Sequence, residues 1–225
     1  MRRWLVCAVL LVCGCSRLPF PDPRLEGEYG AALKKWTRQV ALYSGLETRA
    51  FVRVVYLSPE FVQIQAQELS KMRAELPDQA AQTLANLREQ YRQPSFFAVA
   101  YMPDRTANDW NESNSVWRLA LNMGAGERAP DRVLRYESPF NAEQRALYPY
   151  IDDYSVAYLI RFPDPQSPAM PAQAQQQFTP VEAQVICAGA LGKMLFRWRL
   201  DGGPETPSSA EPGQEQGPVP SPKLP

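Results

Sequence analysis

The chain has 225 residues, 45% of them hydrophobic, with 24 Lys and Arg, 24 Asp and Glu and no histidine. That length and apolar share suit one globular domain with tails, and the balanced charge offers no basic field to collect nucleic acid. Without histidine, Ser-His-Asp and Cys-His catalysis are excluded, and zinc loses its commonest ligand.

At the N-terminus, Met1-Arg2-Arg3 is basic, residues 4–12 are apolar without a charge, and Gly14 precedes Cys15. A charged head, a short apolar stretch and a small residue before the cut describe a secretory signal peptide over residues 1–14. The stretch is too short for a membrane-spanning helix, which needs about 20 apolar residues. Val12-Cys13-Gly14-Cys15 resembles the lipobox of bacterial lipoproteins, with an aliphatic residue three places before the modified cysteine and a small one just before it. The resemblance covers only these first 15 residues. It implies cleavage after Gly14 and a diacylglycerol and a further acyl chain on Cys15, a covalent lipid rather than a dissociable cofactor. Two or more chains anchor stably where one binds reversibly. In two-membrane bacteria an Asp after the acylated cysteine retains such proteins in the inner membrane. Ser16 stands there, so the resemblance implies export to the outer membrane.

The loss of Arg2 and Arg3 leaves a net charge of about −2. Residues 15–27 carry Pro19, Pro21 and Pro23 and read as an extended tether between the lipid and a globular domain over residues 28–201. A short helix is expected over residues 28–36, then strands 39–44 and 47–57 around a turn at Ser44-Gly45. Ser58-Pro59-Glu60 opens a helical insertion over residues 59–92, with Ser as N-cap and Pro at the first helical position. Its apolar side reads Phe61, Ile64, Leu69 and Met72, and Pro77 ends or breaks it.

Strands are expected at residues 95–102, 116–122, 133–136, 155–162, 181–188 and 194–200, rich in β-branched and aromatic side chains. In residues 155–162, Val156, Tyr158, Ile160 and Phe162 alternate against Ser155, Ala157, Leu159 and Arg161. That pattern predicts a buried face and leaves Arg161 exposed. The proline- and glutamine-rich residues 163–180 read as a loop. Residues 202–225, almost without apolar side chains, read as a disordered tail. The fold class is therefore α+β, mainly β: an antiparallel sandwich of about eight strands with a helical insertion, a half-open barrel being the alternative.

No GxGxxG, phosphate-loop or EF-hand spacing occurs. Cys187, between Ile186 and Ala188, reads as a buried thiol, since no base is present to activate it. Three clusters are candidate sites. Asp109, Trp110, Asn111 and Glu112 form an oxygen-rich stretch suited to a cation or sugar, or to a polar turn. Asp152 and Asp153, beside Tyr148, Tyr150 and Tyr154, are adjacent carboxylates that share a site only if the backbone turns both one way. Arg197, Trp198 and Arg199 either meet an anion or alternate between core and water. The expected function is a membrane-anchored, non-enzymatic envelope module whose partner is another envelope protein or component. Two rivals are a histidine-free hydrolase using paired carboxylates and a carrier of apolar ligands with a large interior cavity.

Overall fold

A computed structural model describes residues 26–124, 126–164, 181–203 and 207–213. The expected signal peptide, Cys15, nearly all of the expected tether, most of the 163–180 insert and residues 214–225 lie outside the described residues.

The fold is α+β and mainly β, as expected: two five-stranded antiparallel sheets packed as a sandwich. Helix α1 (Gly27–Trp36) buries Tyr29, Leu33 and Trp36 and carries Lys34 and Lys35 in its last turn, where they face the negative end of the helix dipole. Strands β1 (Thr37–Ser44) and β2 (Glu47–Tyr56) form a hairpin around Gly45, whose φ of 57° suits glycine. Ser58 caps α2 (Pro59–Met72) by accepting the Phe61 N–H at 3.1 Å. Pro77 starts a second helix, α3 (Pro77–Gln90), so the insertion is two helices. The buried stripe of α2 is Phe61, Val62, Gln65, Ala66 and Leu69; Met72, expected in the core, is exposed.

The remaining elements are β3 (Ser95–Tyr101), β4 (Trp117–Asn122), β5 (Glu127–Arg128), β6 (Arg132–Tyr136), α4 (Ala142–Leu147), β7 (Val156–Arg161), β8 (Glu182–Gly189), β9 (Gly192–Arg199) and β10 (Ser209–Pro212). One sheet runs β1-β2-β3-β7-β6, the other β10-β9-β8-β4-β5. Their inner faces interlock through aromatic side chains: Trp198 of β9 lies 5.3 Å from the Phe96 ring and 6.1 Å from the Tyr56 ring. Trp198, Phe196, Phe96, Tyr158 and Ile160 are fully buried between the sheets.

Two expectations need correction. Residues 155–162 do not split into a buried and an exposed face: Ala157 and Leu159 are as buried as Tyr158, and Arg161 is half-buried. The cause is the helical layer, which covers the outer face of the first sheet, so its central strands are apolar on both sides. The Tyr148 ring stacks on Phe97 at 4.1 Å from that side. The tail is also not uniformly without structure. Ser209–Pro212 pairs with β9, satisfying an edge that would otherwise expose unpaired backbone groups. Gly213 closes the contact, since a Cβ there would run into the Ala190 carbonyl oxygen.

Helix α4 is held by ion pairs. Arg73 donates to both oxygens of Glu143 at 2.7 and 2.8 Å, and Arg145 donates to Asp153. The donated hydrogen bond of Arg73 holds the Glu143 carboxyl below its ordinary range, against a smaller opposing effect of burial, and those of Arg145 and Ser138 do the same for Asp153. A lowered folded pKa means that these ties are complete above the ordinary carboxylate values, about pH 4, and are lost as pH falls through the lowered ones. The amide resonances of residues 142–147 should therefore move below about pH 4, before those of β2 and β3. Constant α4 shifts down to the acid unfolding transition would contradict this.

Candidate functional site

Most of the outer face of the first sheet is roofed by helices, but the end nearest the β1–β2 turn is open. A cleft of about 570 Å³ lies there. Its floor follows from strand register: Phe51 pairs with Tyr101 and Arg53 with Val99, so all four side chains share the face opposite the buried Val52 and Val54. A register shift between Leu42 and Tyr43 sets Tyr43 opposite Thr48. Such a bulge re-aims a strand's side chains. Asp152, Tyr154 and Ser155, from the turn entering β7, form the far wall. Tyr43, Tyr101 and Tyr154 are 52%, 39% and 73% exposed, three aromatic rings held at one concavity rather than buried.

Among the described residues, Arg53 is the one cation that lines the cleft. Its guanidinium lies over the Phe51 ring at 4.7 Å and the Tyr150 ring at 5.2 Å, and its Nε donates to Gln39 Oε1 at 2.9 Å. Those contacts fix the fork. Among the described residues, neither Nη atom has a hydrogen bond or ion pair. Burial lowers the Arg53 pKa, and the neighbouring Tyr150 and Asp152 oppose that shift. Arginine nonetheless stays charged at any physiological pH.

Of the sequence candidates, only Asp152 reaches this cleft. Its Oδ1 accepts from the Tyr154 N–H at 3.0 Å and the Ser155 hydroxyl at 2.7 Å, which holds the carboxylate at the wall. Asp153 turns away to Ser138 and Arg145. The adjacent acids thus have separate partners and share no site.

The 109–112 stretch is a turn. Asp109 accepts from the Ser115 hydroxyl and the Val116 N–H, Asn111 donates to Glu112, and Trp110 is buried with its ring stacked 5.1 Å from Tyr158. The four side chains serve different purposes and do not converge. Trp198 points into the core, while Arg199 pairs with Asp201 and Arg197 donates to the Pro207 carbonyl. Cys187 is buried on β8, between β4 and β9 in the sheet, and burial pushes its thiol pKa well up.

Sequence reading missed Tyr43, Phe51, Arg53 and Tyr101, and named Tyr154 only as a neighbour of Asp152 and Asp153. A signal was present in β2, where Phe51 and Arg53 alternate against the inward Val52 and Val54.

Among the described residues, Asp152 is the single carboxylate that lines the cleft, where a two-carboxylate hydrolase needs a pair. Among the described residues, no group of three or more Cys, Asp or Glu side chains is placed to hold a metal ion. Large side chains such as Trp198 and Phe196 are fully buried between the sheets. Comparison with family models, curated proteins and solved structures returns no match for this chain.

Proposed function

We propose that the protein is a lipid-anchored envelope module that binds an envelope component or partner protein through the Tyr43–Tyr101–Tyr154 cleft. The observation that carries this reading is the cleft itself. Its volume falls within the 300–1,000 Å³ typical of ligand sites, and it combines apolar walls with a few placed polar groups. Solvent-exposed tyrosines gathered at one concavity are the composition of a binding surface, because tyrosine offers large contact area and a polar tip. The lipobox at Cys15 supports the anchor, and Ser16 after it supports delivery to an outer membrane. In the sequence, Pro19, Pro21 and Pro23 stand between Cys15 and the folded domain.

Replacing Tyr43 and Tyr101 together with Ala tests the reading. Both are surface positions, so the pair should cost about 1 kcal/mol in stability. The lipidated double variant should lose the crosslinked envelope complex that the parent chain forms. Formation of the same complex in the same yield would refute the assignment of the cleft.

A further inference from the structure

We infer that Arg53 and Asp152 make this cleft a receptor for a zwitterionic, peptide-like ligand. The Arg53 fork takes its carboxylate, Asp152 takes its ammonium, and its apolar part lies against Phe51 and Tyr101. The inference rests on reading the cleft as a binding site and adds the ligand's chemistry.

The argument begins with the cost of Arg53. A partly desolvated guanidinium is retained in a concavity with its Nε anchored on Gln39, its plane over two aromatic rings, and both Nη atoms free among the described residues. Arginine's planar fork matches a carboxylate with two parallel hydrogen bonds, and a fork already held in place loses little freedom on binding. Charge then narrows the ligand. Among the described residues the cleft lining carries one cation and one carboxylate, charges that cancel. A phosphate dianion would find one arginine and face Asp152. A monocarboxylate that also carries an ammonium finds a partner for each charge. Asp152 is positioned for this, because its turn contacts use Oδ1 and it remains solvent-exposed.

The test titrates the full lipidated chain, ¹⁵N-labelled in detergent micelles, with the dipeptide Ala-Phe, its C-terminal amide and its N-acetyl derivative. Ala-Phe should shift the Arg53 Nε–H resonance together with the Val99 and Tyr101 amides. Amidation should weaken binding about tenfold, the loss of one charge-assisted contact, and N-acetylation should weaken it too. Arg53→Gln should abolish the difference between acid and amide. Asp152→Asn, which keeps an acceptor for the turn, should abolish the difference between free and acetylated amine. Equal binding of acid and amide by the parent chain would overturn the role of Arg53. So would an amide penalty that survives Arg53→Gln. Absence of any shift at about 20 mM, above the millimolar constants of weak small-ligand sites, would overturn the ligand class. The cleft itself would still be judged by the tyrosine double variant, so the two failures are distinct.

Discussion

Trp198→Ala should destabilise the domain by about 3–5 kcal/mol, the cost of truncating a buried aromatic in a core that cannot fully collapse. Trp198 is fully buried, touches the Phe96 and Tyr56 rings across the sandwich, and donates its Nε1–H to the Trp36 carbonyl at 2.8 Å. One side chain thereby joins β9, the first sheet and the end of α1. Its removal opens a cavity and strands a buried carbonyl, whose unmet hydrogen bond costs about a further 1–3 kcal/mol where water cannot reach it. Against a total stability of about 5–15 kcal/mol, the loss is large. In thermal unfolding it should appear as a fall of roughly 10 °C or more. Trp198→Phe should recover most of the packing but not the hydrogen bond. A drop under about 1 kcal/mol, the level of surface substitutions, would mean that the two sheets are not joined there.

Cys15→Ser should move the protein from the membrane fraction to the soluble fraction. Lipid on Cys15 is the anchor that the Val12-Cys13-Gly14-Cys15 register implies, and each buried methylene contributes about 0.8 kcal/mol. Two or three acyl chains would make the parent's attachment stable, so the change should be nearly complete. Density-gradient separation of the two membranes would then test delivery: the parent chain should travel with outer-membrane markers. Retention of the Ser variant on membranes would refute lipid anchoring at this residue.

The strands that were legible in the sequence owe it to composition. β2, β3, β8 and β9 are dense in Val, Phe, Ile and aromatic residues and lie within one or two residues of their expected limits. Ser58-Pro59 marked the start of α2 because capping is a local interaction. Where tertiary contact decides, the sequence was silent. Ser209-Ala210-Glu211-Pro212 has no strand character of its own and becomes β10 only because β9 offers an open edge. The alternation over β7 misled because a helical layer on the outer face buries what would otherwise meet water.

The cleft was hidden for a different reason. Tyr43, Arg53 and Tyr101 come from three separate strands and each reads alone as an ordinary strand residue, while Asp152 stood out only as a neighbour of Asp153. Antiparallel register between β2 and β3 brings Arg53 and Tyr101 to one face, and the turn into β7 adds Asp152. Of the other acids that stood out, Asp109 shapes a turn and Asp153 is engaged in an ion pair. Local density of polar groups marked the turns, while the concavity is made of residues far apart in the chain.

The claim that the Tyr101 cleft is where this protein meets its partner is tested most directly by site-specific photocrosslinking in intact cells. A photoreactive amino acid replaces Tyr101 in the lipidated chain, and in a control it replaces Val181, an exposed position beside β8 on the other sheet. The account predicts a discrete adduct from position 101 that position 181 does not give and that excess Ala-Phe diminishes. The same adducts from both positions, or none from position 101 in a chain still held at the membrane, would contradict it.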